Sequence, residues 1–239
     1  MTWSIVAHDP DSGAFAVAVA TRSLAVGASC PFVRAGVGAV STQSMTNRYL
    51  GPAVLDGLEA GLDPAEAIER ALGRDDGRGL RQVHAVDAQG RAAAFTGRHC
   101  VEWCGERTAA HVSVAGNMLA GAAVVADCFD AFAASRGLAL PERLMAAMQA
   151  GEAAGGDRRG RQSAAMKLVT TEDFPDLDIR VDDHGAPLGE LERLLGLWRE
   201  HFGARKGWAP TRANPSGCTD LDVMEAAWIA AGSDLRFRR

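Results

Sequence analysis

Met1-Thr2-Trp3-Ser4-Ile5-Val6-Ala7-His8-Asp9 and Ala14-Phe15-Ala16-Val17-Ala18-Val19-Ala20-Thr21-Arg22-Ser23 decide how this chain folds. Asp9-Pro10-Asp11-Ser12-Gly13 punctuates the two apolar runs with turn chemistry. Proline presets φ, glycine permits positive φ, and aspartate and serine bond the backbone locally. The stretch predicts a β-hairpin that begins at the first residues and ties the N-terminus into a sheet. Removal of Met1 would leave Thr2 with a hydroxyl and a free α-amine. With an ordinary pKa of about 7.8, that amine can act as general base for its own side chain.

Working outward, 239 residues suit one large domain, or one domain with an appendage. Aromatic residues make up only 6 % of the chain and glycines number 27, so the core is expected to rest on small, closely packed side chains. A net charge of −5 offers no electrostatic footprint for nucleic acid or an anionic membrane. The longest apolar runs, Ala14 to Ala20 and Ala120 to Ala126, are too short to span a bilayer. No basic segment precedes an apolar one at the N-terminus, so no leader is expected. The cysteines at 30, 100, 104, 128 and 218 are odd in number and scattered, which argues against a disulfide framework and for a cytoplasmic setting.

Phe32 to Ser41 reads as a strand pair and Ser41-Thr42-Gln43-Ser44 as a polar turn. Tyr49 to Ala60 carries Leu50, Val54 and Leu58 on one helical face. Asp63-Pro64-Ala65-Glu66 opens a second helix with an N-cap, a proline at the first position and a glutamate at the third. Arg81 to Asp87 and Arg91 to Thr96 flank a hairpin turn, and Val101 to Trp103 and His111 to Ala115 read as short strands. Ala122 to Ser135 and Pro141 to Ala154 form a helix pair, followed by strands at Ala164 to Thr170 and Leu177 to Asp182. Leu188 to His201 is amphipathic, and Leu221 to Ala231 is a last helix. Strands, helix pair, strands, helix pair, strands: this segregation predicts an α+β fold of four layers, αββα, with two antiparallel sheets between helices. Residues 1–186 would form the main domain and 187–239 a C-terminal helical appendage.

The layer order, together with Met1 to Ala7, Ala20-Thr21-Arg22-Ser23, Gly38-Ala39-Val40-Ser41-Thr42-Gln43, Gly116-Asn117-Met118-Leu119, Gly155-Gly156-Asp157-Arg158-Arg159-Gly160-Arg161-Gln162-Ser163 and Asp178 to His184, resembles the domain-of-unknown-function 1028 (DUF1028) family. That resemblance covers roughly residues 1 to 200 and implies an N-terminal-nucleophile (Ntn) hydrolase-like sandwich. Proteasome-type subunits, which also open with Thr and a hairpin, are a more distant likeness. Where they carry an Asp and a Lys, this chain has Ala20 and, roughly, Val33 or Arg34.

The resemblance implies Thr2 as nucleophile, with backbone N–H groups at Gln43 and Ser44 holding the oxyanion. Arg158, Arg161 and Gln162, with Asp157, would contact an anionic ligand, because guanidinium offers paired donors to carboxylate or phosphate. Arg22, Ser23 and Asn117 are cleft residues on the same grounds. The bland alternative makes the run from Gly155 to Ser163 a solvated turn with its Asp paired to an Arg. Asp182, Asp183 and His184, and His99 with Cys100 and Cys104, lack the spacing of a metal site. The expected function is hydrolysis of an amide or related C–N bond in a small molecule, with no metal or organic cofactor. The alternative is a catalytically inactive fold that binds a small ligand or serves as an oligomeric scaffold. The apolar stripe of the 188–201 helix suggests a homodimer, the commonest closed assembly.

Overall fold

The computed structural model describes residues 2–202, 207–232 and 236–237. β1 (Thr2–Asp9) and β2 (Ala14–Thr21) form the expected hairpin, in register from Trp3 opposite Ala20 to Asp9 opposite Ala14. β1 is not an edge. Its other side pairs with β8 (Val112–Asn117), Thr2 lying opposite Asn117. β9 (Ser163–Val169) adds to β2, β10 (Leu177–Val181) to β9, and β7 (Gly105–Ala109) to β8. The result is a six-stranded antiparallel sheet ordered β10-β9-β2-β1-β8-β7. A second antiparallel sheet runs β3 (Pro31–Arg34), β4 (Gly38–Ser44), β5 (Arg81–Asp87), β6 (Ala92–Thr96).

A strand with one wet face alternates in burial, but every residue of β2 is buried. Both faces of the larger sheet are therefore covered at its centre. On one face, Trp3 packs against glycines 151 and 156, and a Cβ on Gly151 would sit 2.8 Å from the indole nitrogen. α3 (Ala123–Ala134) and α4 (Leu140–Ala153) cover that side. On the other face, Ser4 and Val6 meet the second sheet, Val6 sharing a cluster with Ala39 and Val86. α1 (Leu50–Glu59) and α2 (Pro64–Leu72) lie on the outer face of the second sheet, packing Val54, Leu58 and Ile68 onto Val40, Val83 and Ala85. Small residues are what let these layers close up: Ala16, Ala18 and Ala20 are all completely or almost completely buried.

Local chemistry explains the element ends. The Asp63 carboxylate accepts from Glu66 N at 2.9 Å, and Glu66 accepts from Asp63 N at 3.2 Å, closing the capping box around Pro64. Two expectations are corrected. Ser41 to Ser44 is not a turn but the end of β4, paired residue for residue with His84 to Arg81. Ser41 and Gln43 find partners across the sheets and Thr42 Oγ1 bonds the Asn47 carbonyl, so these side chains do not need solvent. Val101 to Trp103 forms no strand; the ladder begins at Gly105.

By compactness the chain divides into Met1–Glu192 and Arg193–Arg239. α5 (Pro187–Phe202) crosses that boundary. In the second unit, Asp220 caps α6 (Leu221–Ala230), and the Trp208 and Trp228 rings lie 5.4 Å apart. Among the described residues, no helix is long and apolar enough to cross a membrane.

A Cβ at Gly38 would lie 2.5 Å from the Val86 carbonyl oxygen, and Val86 is paired to both Ala39 and Ala92. That oxygen belongs to a ladder and cannot swing aside as a side-chain tip would. Gly38→Ala is expected to destabilise the protein by about 1–3 kcal/mol, read as a lower urea midpoint.

Candidate functional site

A layer of polar side chains runs between the sheets from the start of β1. Ser4, Ser41, Gln43, Gln82, His84 and Ser113 are completely buried. Buried polar groups need partners, and the partners here fix one another's orientation. Gln82 Nε2 donates to the Gly116 carbonyl at 2.8 Å and to Thr96 Oγ1 at 2.9 Å, which leaves Gln82 Oε1 to accept from Gln43 Nε2 and Asn117 Nδ2, each at 2.9 Å. Gln43 Nε2 also donates to the Ala115 carbonyl at 3.2 Å. Gln43 Oε1 must therefore accept, and Ser4 Oγ donates to it at 2.7 Å.

Ser4 Oγ also lies 2.7 Å from His84 Nε2 and 3.0 Å from Ser41 Oγ. By distance alone this serine and histidine resemble a nucleophile and its base. Their burial says otherwise. Ser4 Oγ stands among three partners, Gln43 Oε1, Ser41 Oγ and His84 Nε2, all inside the core. His84 Nδ1 lies 3.0 Å from Ser113 Oγ, so both ring nitrogens are engaged. Burial pushes the His84 pKa down to about 3, so the ring stays neutral. The cluster is sealed: Ser4 and His84 are completely buried, out of reach of a substrate.

The layer ends at Thr2. Thr2 is 5 % exposed and begins β1 with a strand on either side. Its hydroxyl lies 3.3 Å from that of Thr21. Its carbonyl is 3.5 Å from Gln43 Nε2, and Asn117 pairs with it across the β1–β8 ladder. The Gln43 carboxamide is thus committed to the core. Ser44 differs: its φ is 74°, and Thr42 N bonds the Cys30 carbonyl on the β3 side. Backbone groups alternate sides along a strand, so Ser44 N–H points the same way as that of Thr42, past the point where β3 stops pairing.

The run from Gly155 to Ser163 folds over the same strand ends. Asp157 is buried and accepts from Arg22 N at 2.8 Å, Arg159 N at 2.9 Å and Arg159 Nη2 at 3.1 Å. Arg22 Nη1 donates to Gln162 Oε1 at 2.8 Å, and Gln162 Nε2 donates to Asp183 at 3.0 Å. Gln162 N bonds the Thr21 carbonyl. Arg161 Nε sits 3.2 Å from Glu152, while Arg158 is exposed. Ser23 is exposed, and its carbonyl accepts from Ser163 Oγ.

The structure thus joins Thr2 to Thr21 and, through the Gln43–Gln82 amides, to Asn117. It joins Arg22 to Asp157, Gln162 and Asp183 in a second network next to Thr21. Asp157 holds a loop in place, Arg161 holds Glu152, and Asp182 pairs with Arg180 at 2.7 Å. Among the described residues, no group of three or more His, Cys, Asp or Glu side chains is placed to hold a metal. Sequence reasoning passed over Ser4, Gln82, His84 and Ser113. The available signal was polar residues two apart, Ser41 with Gln43 and Gln82 with His84, in otherwise apolar strands.

A family model described as "Family of unknown function (DUF1028)" matches residues 2–191. The crystal structure of protein SPO2555 from Silicibacter pomeroyi, which falls under the same family model, is 34 % identical, covers 92 % of this chain and 96 % of its own, and superposes with a TM-score of 0.85. The Anbu (ancestral beta-subunit) structure from Yersinia bercovieri is 11 % identical over 82 % of this chain and 93 % of its own, with a TM-score of 0.38. No curated protein matches.

His84 supplies a pH test of the sealed layer. Its folded pKa lies well below the unfolded value of about 6.5, so between the two the unfolded chain binds the extra proton. Stability is therefore full above the unfolded pKa and falls by roughly 1.4 kcal/mol per pH unit as pH drops toward the folded pKa. Urea titrations from about pH 4 to pH 7 are expected to show this one-proton slope in the wild type and its loss in His84→Gln.

Proposed function

The chain belongs to the family of unknown function DUF1028, and from that premise we propose that it is an Ntn-hydrolase-like αββα sandwich that hydrolyses an amide or related C–N bond of a small molecule. Thr2 is the nucleophile once Met1 is removed. The observation that carries the reading is the place of Thr2: first residue of a strand held on both sides, with its hydroxyl 3.3 Å from the Thr21 hydroxyl. Loss of one residue puts an amine and a hydroxyl on neighbouring atoms of a rigid sheet, which is the geometry an N-terminal nucleophile needs.

In the proposed cycle the Thr2 hydroxyl gives its proton to the Thr2 α-amine and its oxygen attacks the substrate carbonyl. The Ser44 N–H, directed away from β5, receives the developing oxyanion. The α-ammonium returns the proton to the departing nitrogen as the C–N bond breaks. A water molecule then cleaves the acyl ester, with the same amine as base. Arg22 and the exposed Arg158 supply positive charge for an anionic part of the substrate. Arg161, held by Glu152, and Gln43, held in the core, act on the site only through the groups they position.

The second reading is a fold that binds a small ligand without turning it over. It is favoured by Ala20, which is buried on β2, where a methyl group can orient no base.

Intact-mass measurement of the native chain is expected to show loss of the initiator methionine. In an amide and lactam screen, Thr2→Ala is expected to lower kcat/KM by at least roughly 10³-fold with an unchanged melting temperature, and Thr2→Ser to retain turnover. Full activity from protein that keeps Met1 would sink the proposal. Ligand-dependent thermal shifts without any turnover would favour the second reading.

A further inference from the structure

His8 stands six residues along β1 from Thr2, roughly 20 Å away at about 3.4 Å per residue. There a second polar constellation forms. His8 Nδ1 lies 3.1 Å from His111 Nδ1, and the His8 ring stacks on Phe15 with centroids 4.6 Å apart. Two Nδ1 atoms at that distance share one proton, one ring donating and the other accepting. In two neutral rings the Nε2 atoms then hold the opposite roles, so the pair offers one further donor and one further acceptor. Burial and the neighbouring His111 lower the His8 pKa, against the opposing pull of Asp9 and Asp87.

His111 is held in an unusual way. It occupies the two-residue turn between β7 and β8 with φ 68°, a left-handed conformation that glycine or asparagine adopts more readily. Its N–H donates to the Gly90 carbonyl at 2.7 Å, and its carbonyl accepts from His8 N at 2.9 Å. Its ring fills the space a side chain on Gly90 would need; a Cβ there would lie 2.2 Å from Cε1. Segments from both sheets thus fix this imidazole.

The two histidines line a cleft of about 500 Å³, within the range of small-molecule sites. Phe129 and Phe132 of α3 give it an aromatic wall. The Arg143 guanidinium lies 4.0 Å over the Phe132 ring, and its Nε is buried without a hydrogen-bond partner. Burial lowers the Arg143 pKa, Asp9 opposes that, and the charge of Arg136, exposed on the rim, adds a smaller lowering. A buried cationic donor lacking an acceptor is costly, and an anion supplies what it lacks. The aromatic wall calls for an apolar body. Asp9 and Asp11, also on the rim, repel a dianion more strongly than a monoanion.

We propose that this cleft binds a small monocarboxylate with an apolar or aromatic body, its carboxylate on Arg143 and Arg136 and its body against Phe129 and Phe132. The site is separate from Thr2 and does not depend on Thr2 being a nucleophile. Phenylacetate is the probe, titrated into the full chain by calorimetry while the His8 and His111 imidazole signals are followed by NMR. Phenethylamine and inorganic phosphate are run alongside. Saturable phenylacetate binding that shifts both histidine signals is expected, with affinity about tenfold or more weaker in Arg143→Met and in Arg136→Met. Arg136 is exposed, so its variant keeps the test decisive where Arg143→Met loses stability. Absence of saturable binding overturns the proposal. So does equal affinity in both arginine variants, equal binding of phenethylamine, or tighter binding of phosphate.

Discussion

Each hydrogen bond between the two sheets has to be made inside the protein, because no water reaches Ser4, Ser41, Gln43, Gln82, His84 or Ser113. A donor or acceptor left unmet there costs about 1–3 kcal/mol, which is a large part of the net stability of a domain. The layer therefore dictates register. A one-residue slip of β1 would turn Ser4 toward the helices and bring Ile5 against His84 and Gln43. The apolar contacts of Val6 with Ala39 and Val86 supply attraction, while the polar contacts select the alignment that is kept.

Along β1 the same gap changes character. At Thr2 it reaches the strand ends, where Arg22, Asp157 and Gln162 interlock. At Ser4 it is closed and its histidine is held neutral. At His8 the strand meets a surface cleft, with Phe15 and His111 against its ring. Groups that could do chemistry in isolation are held inert in the middle. The proposed nucleophile and the proposed ligand cleft lie at the two ends of this one strand, with the closed segment between them.

Much of this was legible in the sequence where local chemistry decides. The turn residues after Asp9 define the first hairpin, and Asp63-Pro64 with Glu66 defines the start of α2, because both act over a few residues. Two antiparallel sheets and the helices on them follow from the order of apolar runs. The failures share one cause. Ser41 to Ser44 looks like a turn when its polarity is assumed to mean solvent, and only the partners on β1 and β5 make it a strand. The side chains of Gln43 and Asp157 are engaged by distant residues, Gln82 and Arg22, that no spacing in the sequence connects. His8 and His111 lie 103 positions apart and meet only through the β1–β8 pairing.

The position of β1 inside the six-stranded sheet bears on how the chain is made. During synthesis its first strand can zip onto β2 at once, but its other edge waits for Val112–Asn117, and the outer edge of β2 waits for Ser163–Val169. Until Asn117 has been made, the emerging polypeptide therefore exposes an apolar hairpin with two open flanks. Such long-range pairing raises contact order and slows closure, so the nascent segment is the part most in need of shielding by the ribosome or a chaperone.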